Sequence, residues 1–567
     1  MRPSSALRTS PSRLVEALAA AAPRYAPDDR QRKHTLLTEL EAVPVRHAGV
    51  LLRLHETLCF LQAHPDDAEI LALVDRGLEA FAARVDRLSR AARRRLYDSG
   101  VAGSTLDYPF GFPMARWLAA RFPRATDVAW PAFTEPDRLD ETLSLLATTA
   151  EGDAFSEGGM GWREWIRVAK GGRPLTDLQL ILEVFARTPL PEETRDWLFE
   201  SLSLPILWRP AGDGGSRTLA RTASRDTFFH AGGLERGDVD LVEALRRPLP
   251  LRRAPRPLGE AMIDAARVAM ATRQRELHAF SYPNPDDVLI VDAGRGLRLV
   301  FIGIAPDFRL PLEGYYGFLA LKNGVPVSYG GGWELFGTLD FAINIFPSFR
   351  QGESAYLAAQ LLRAYRWIFR MRTVVIDRYQ LGHESTEALR SGSFYFYNRL
   401  GFRPRDPHVV QTLAEERVKI AADPAYRSPI PTLKHLAAAE VFLMLPGGDS
   451  APERRLRATD VAALVARHVA REFGGDRARA TRESAERVAR ALGVRGRSSW
   501  PPAERRAFER LSLVAALVPD LEAWPRSDRR ALVSLMRAKG GGREMAYARR
   551  LDGHRRFRRS LETLALG

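Results

Sequence analysis

The sequence predicts a multidomain α+β protein: a mostly helical N-terminal region, a central mixed α/β domain with an antiparallel-rich sheet, and a helical C-terminal module. Three observations predict it. Apolar residues recur at helical spacing before residue 245 and again after 451, strand-like runs joined by glycine turns fill the middle, and Pro/Gly/Arg-rich stretches separate these textures. At 567 residues the chain is too long for one core, and three or four domains are expected.

Residues 1–245 read as the helical region. Leu51, Leu54, Leu58 and Leu61 share one helical face, and Ile70, Val74, Leu78, Phe81 and Val85 share the next. Between them lies "AHPDDAE". The string resembles the ligand motif of the N-acetylglucosaminyl deacetylase family, in which it follows a strand and precedes a glycine-rich segment. Here a helical pattern stands on both sides, and the next histidine is His230. Pro65 in a first helical turn, with Asp66 and Asp67 favouring the positive end of the helix dipole, explains the string without metal. A corner between two helices is therefore expected.

The stretch "RRPLPLRRAPRPLGE", residues 246–260, holds four prolines, which fix φ and remove donors. It is read as a linker. A second break is expected in "LPGGDSAPERR", residues 445–455, and a surface loop in "RPAGDGGSR", 209–217.

The segment 258–445 changes texture. A helix, "LGEAMIDAARVAMATRQRELHAF", leads into "DDVLIVDAGRGLRLVFIGI", two strands around the turn Gly294-Arg295-Gly296. Asn323-Gly324 in "GYYGFLALKNGVPVSYGGGWELFG" is a strong hairpin signal, and "TLDFAINIFPSF" continues the strands. Then follow a helix ("SAYLAAQLLRAYRWIF"), a strand ("RTVVID"), a helix ("STEALRSGSFYFYNRLGF", ended by Gly401) and a turn into more strand. Gly392 within that helix implies either close approach of another backbone or a helix that begins late, after Ser391.

This order, with "FYNRLGF" at Phe396–Phe402, resembles the GNAT N-acyltransferase superfamily over roughly residues 258–410. The string matches the family's Phe-Tyr-x-x-x-Gly-Phe ending of its fourth helix. The resemblance implies that Tyr397 protonates a departing thiolate, which is chemically reasonable because thiol and phenol have reference pKa values of about 8.5 and 10. The bland alternative is a half-buried aromatic beside a glycine C-cap. The family's pyrophosphate loop, Arg/Gln-x-x-Gly-x-Gly/Ala, corresponds to "FRQGESA". It implies that Arg350, Gln351, Gly352, Ser354 and Ala355 hold the donor, with backbone N–H groups at a helix start. With Gly352 central the outer positions are Phe349 and Ser354; in the other register Arg350 and Ala355 fit, and Glu353 replaces the glycine. The acid is unfavourable beside a pyrophosphate unless Arg350 offsets it.

The donor so implied is acetyl-CoA or another acyl-CoA as co-substrate, with no metal, and the acceptor is the amine of a small molecule or protein. An attacking amine must lose a proton. Glu334, in "GGGWELF", is the first candidate base, because carboxylates at strand ends near the family's central splay can serve; Asp340, Asp377 and His383 are alternatives. The family's asparagine after the fifth strand has no counterpart in "GHESTEAL". The competing reading is a GNAT-like scaffold or regulator without catalysis that binds a protein or an acyl ligand.

The tail, residues 451–567, reads as three or more helices. The net charge of +15 lies mostly there: 27 Lys+Arg against 14 Asp+Glu, although a chain with 78 arginines and six lysines makes basicity a weak clue. GNAT-like folds also accept acyl groups from acyl carrier protein or aminoacyl-tRNA, and this tail could recognise either acidic partner. Its cluster Arg549–Arg559 could touch phosphates; a solvated helix face is the plainer alternative. One cysteine, Cys59, excludes an intrachain disulfide and suits a reducing compartment. No signal segment or membrane helix is expected, and a cytoplasmic location follows.

Overall fold

The computed structural model describes residues 10–156, 158–210, 214–223, 226–237, 239–423, 425–445 and 455–566. Most of the break expected at 445–455, and the centre of the loop expected at 209–217, lie outside the described residues. The chain forms two compact units whose limits cross the sequence breaks. The first takes Met1–Leu234, Met262–Ser281 and Lys322–Pro326; the second takes Glu235–Ala261, Tyr282–Leu321 and Val327–Gly567.

The first unit is mainly helical, as its periodicity predicts. Leu51, Leu54, Leu58 and Leu61 are buried on the helix Ala48–Ala63, and Ile70, Val74 and Leu78 on Ala68–Glu79. It also contains a small sheet that the periodicity does not announce. Strands β1 (Leu106–Tyr108), β2 (Thr126–Val128) and β3 (Ile206–Trp208) lie in the order β1-β3-β2, both pairings antiparallel. Three residues are too few to show an alternating pattern. Phe110, Phe112, Phe185, Phe199 and Trp208 form the core beside this sheet.

The second unit is built on a nine-stranded sheet of order β11-β12-β10-β9-β8-β7-β6-β5-β4. Its strands are β4 (Arg252–Arg253), β5 (Pro283–Asp292), β6 (Leu297–Ile304), β7 (Gly314–Lys322), β8 (Val325–Leu335), β9 (Thr338–Ile345), β10 (Thr373–Ile376), β11 (Arg403–Pro404) and β12 (Val441–Met444). The stretch 246–260 is thus not a free linker. Arg252 and Arg253 add β4 to the sheet edge against Ile290 and Leu289, a place where proline neighbours are tolerated, and a helix begins at Arg256. Asn323 and Gly324 turn the β7–β8 hairpin with φ of 49° and 82°, the two positive values that a two-residue turn of this kind requires.

Most of the sheet is antiparallel; β9 and β10 run parallel, joined by the helix Ser354–Phe369. That helix packs through Tyr365, whose hydroxyl donates to the Tyr316 carbonyl at 2.7 Å and whose ring meets Phe301 edge-on at 5.0 Å. The packing is close because β8 carries Gly330-Gly331-Gly332. A Cβ at Gly330 would stand 2.1 Å from the Ala342 carbonyl oxygen, and one at Gly332 2.7 Å from the Tyr365 ring. Gly330→Ala is expected to destabilise this unit by about 1–3 kcal/mol in urea unfolding, since the obstacle is backbone.

The C-terminal residues do not form a separate module. Six helices follow residue 457, and Val461, Phe508, Leu535 and Tyr547 from them share one core with Leu312, Leu335 and Phe336. A buried ionic knot fastens them further. Lys539 Nζ meets Glu544 at 2.6 Å, Arg309 meets Glu544 at 2.8 Å, and Asp287 accepts from the Glu544 N–H and the Tyr316 hydroxyl. Among the described residues no helix is long and apolar enough to cross a membrane.

Candidate functional site

The site begins where two parallel strands part. β10 pairs with β9 only at Thr373–Thr338, Val374–Leu339 and Val375–Asp340, whereas β9 continues to Ile345. Among the described residues, β9 has no strand partner on that side beyond Asp340. The segment 346–353 then turns into the helix Ser354–Phe369, whose N-cap Glu353 makes no side-chain hydrogen bond to the helix. The first-turn N–H groups therefore lack a side-chain cap at the end where the strands diverge.

Charges around this turn are matched in pairs. The Glu353 carboxylate is buried and accepts from Arg295 Nε at 2.9 Å, Arg295 Nη2 at 2.6 Å and the Glu235 N–H at 2.8 Å. Arg295, from the Gly294–Gly296 turn, and not Arg350, therefore offsets the acid. Tyr356 holds that turn in place by donating to the Ala293 carbonyl at 2.6 Å. Arg350 pairs with Glu387 and donates to the Ile345 carbonyl, Gln351 accepts from Arg236 through its carbonyl, and Ser354 donates to the Arg350 carbonyl at 3.2 Å. Gly352 donates its N–H to the Phe349 carbonyl, and Ala355 lies in the first helical turn.

Glu334 does not join them. It lies at the end of β8, paired with Leu339 near the start of β9, whereas the 350–355 segment follows the other end of β9. Six residues of strand, roughly 20 Å, separate the two ends. The carboxyl is fully buried; Oε1 accepts the Gly337 N–H at 2.5 Å and closes the β8–β9 turn, and Oε2 has no hydrogen-bond partner among the described residues. Burial pushes its pKa up to about 8, with Asp552 adding to the effect and Arg372 and Lys539 opposing it. Burial thus favours its neutral form, and its structural part is to close the turn.

Of the other candidates, Asp340 stands at the last paired position before the strands part, opposite Trp333 on β8. Arg455 clasps it with two bonds of 2.6 and 2.8 Å, while burial pushes its pKa up. Asp377 caps a short helix through the Tyr379 N–H, and His383 lies 3.8 Å from Glu384. Tyr397 is 2% exposed, its ring edge-on to Phe396 and Phe402, and burial raises its pKa well above the ordinary phenol value. The nearby helix does start late: it runs Ser393–Arg399, and Gly392 precedes it with φ 71° and open space where a Cβ would be.

The "HPDD" stretch is a helix corner held by an ion pair. Asp67 caps the second helix by accepting from the Ile70 N–H at 2.9 Å, and Pro65 precedes that cap instead of lying in the first turn. Asp66 accepts from the buried Lys33 through both oxygens, each 2.8 Å from Nζ. His64 stacks on Phe60. Nearby, Cys59 Sγ is 3.7 Å from His55 Nε2, the spacing of a nucleophilic pair, but burial pushes the thiol up to about 12, which leaves it protonated and unreactive.

The arginine-rich C-terminus is largely occupied as well. Arg549 donates to the carbonyls of Trp367 and Ile368, Arg556 pairs with Asp528, and Arg558 pairs with Glu562 and donates to the Phe336 carbonyl. These three anchor helices. Sequence reasoning missed Arg295 and Arg455. The first was visible as the centre of a glycine turn; the second has its partner Asp340 115 residues away, and no local pattern reveals it. No family model, characterised protein or solved structure matches the chain.

Proposed function

We propose that the chain is a GNAT-like N-acyltransferase that moves an acyl group from CoA or another acyl carrier to an amine. The observation that carries this reading is the parting of β9 and β10 directly before a helix start without a side-chain cap. A pantetheine arm can lie along the unpaired edge of β9 as an added strand would, and the first-turn N–H groups can receive a pyrophosphate. Asp340, at the point of parting, replaces Glu334 as the group that takes the amine proton, directly or through water; Arg455 holds it in place and opposes the rise in pKa that burial imposes. The amine then attacks the thioester carbon, and the thiolate leaves with a proton from Tyr397 or from solvent.

The scaffold reading is favoured by one observation, the burial of Tyr397 between Phe396 and Phe402, which keeps its hydroxyl from ready contact with a thiolate. Calorimetry on the full chain with CoA, acetyl-CoA and a longer acyl-CoA separates the two. Catalysis requires saturable binding that Ser354→Asp weakens about tenfold while the melting temperature holds or rises, because an acid at a helix start suits the dipole but repels a pyrophosphate. Absence of binding of all three, with no transfer to added amines, selects the scaffold.

A further inference from the structure

A second place in this unit gathers arginines around a cleft. The helix Leu241–Arg246, the end of the helix Ser393–Arg399, and strands β11 and β12 line an open cleft of about 450 Å³, within the size range of small-molecule sites. Three arginines line it, Arg399, Arg403 and Arg405, against a single carboxylate, Asp240. That carboxylate is already engaged as a helix cap, accepting from the Glu243 N–H at 3.0 Å.

Two of the arginines are held in position. Arg405 lies over the Phe442 ring at 4.1 Å and reaches Met444 Sδ at 3.3 Å. Arg403 gives Nη1 to the carbonyls of Asn398 and Phe402, at 2.6 and 2.9 Å, while its Nε and Nη2 make no hydrogen bond among the described residues. Arg399 is exposed and makes no ion pair or hydrogen bond among the described residues. Cations gathered round a cleft repel one another, and an anion between them removes that cost. A fixed guanidinium fork suits phosphate in particular. The remaining lining, Leu241, Leu443 and the Phe442 ring, is apolar and offers a surface to an organic body.

We propose that this cleft binds a small organic phosphate: the phosphate meets Arg399, Arg403 and Arg405, and an aromatic or aliphatic group lies against Leu241 and Phe442. It is independent of the acyl-transfer reading, whose loop contributes no residue to it. In an arginine-rich chain the ordinary alternative is three solvated side chains, which would bind phosphate weakly and without regard to the body attached.

Calorimetric titration of the full chain with phenyl phosphate, inorganic phosphate and phenol tests this. The expected result is one saturable site for phenyl phosphate, at least tenfold tighter than for either fragment and weakened by added salt. Arg399→Gln alone should weaken it several-fold with unchanged melting temperature, and Arg399→Gln with Arg403→Gln tenfold or more at some cost in melting temperature, since Arg403 also holds the Asn398 and Phe402 carbonyls; Val242→Trp should block it by filling the cleft without altering charge. Ser354→Asp should leave it unchanged. Failure to saturate at millimolar phenyl phosphate, equal affinity for inorganic phosphate, or indifference to both the arginine pair and Val242→Trp would overturn the proposal.

Discussion

Lys33→Met will destabilise the first unit by about 3–5 kcal/mol, because it leaves the Asp66 carboxylate buried without its cation. Lys33 is 0% and Asp66 5% exposed, and Nζ contacts both carboxylate oxygens at 2.8 Å. Among the described residues no other cation is placed against Asp66. The Tyr25 ring lies 4.1 Å from Nζ, and Tyr25 donates its hydroxyl to the His64 carbonyl, so the aromatic wall is itself fixed. Burial pulls the lysine pKa down and pushes the aspartate pKa up, both toward neutrality, with their mutual attraction opposing. The pair is therefore costly to break and of small net worth when intact. Lys33→Met with Asp66→Leu should recover most of the loss. Urea unfolding of the two single variants and the double one gives the coupling, and a cost below about 1 kcal/mol for Lys33→Met would show that water reaches the pair.

The second large effect is a dependence on pH set by Glu334. Its carboxyl ordinarily titrates near 4.5 and in the fold near 8. Between those values the native state keeps a proton that the unfolded state has released. Stability therefore falls as pH rises through this window, by up to about 1.4 kcal/mol per unit from this one group; it is whole below the lower value and lost above the upper. Glu334→Gln removes the titration and keeps an acceptor for the Gly337 N–H. At pH 9 the variant should be more stable than the parent by roughly 2–4 kcal/mol, with the difference shrinking toward pH 5. Other buried acids, among them Asp287 and Asp340, titrate upward too, and subtraction of parent from variant cancels them. A parallel pair of curves would mean that Glu334 is ionised throughout and compensated by Arg372 or Lys539.

What the sequence discloses here follows the range of the forces involved. The Asn323-Gly324 hairpin, the Gly294–Gly296 turn and the succession of helix 354–369, β10 and helix 393–399 rest on local periodicity and turn chemistry, and all can be read from neighbours. The three-residue strands β1–β3 and the two-residue β4 are held by partners far along the chain, as are Arg455 with Asp340 and Arg309 with Glu544. The distance of Glu334 from the 350–355 segment is also legible from the turn that follows it. A tight turn at Phe336–Gly337 returns the chain along β9, so whatever ends β8 lies at the opposite end of the sheet from whatever follows β9.

The hairpin tip Lys322–Pro326 belongs to the first unit, where Asn323 gives its side-chain amide to the carbonyls of Ala63 and Phe228 and takes the Phe228 N–H at 2.9 Å. Its side chain thus closes buried bonds for residues made long before it. On a ribosome working at about 5–20 residues per second, the N-terminal helices emerge before Asn323 does, and its bonds to Ala63 and Phe228 form only after residue 323 clears the exit tunnel. Cutting the gene at the proline-rich stretch would part the N-terminal helices from the hairpin tip whose Asn323 closes these bonds.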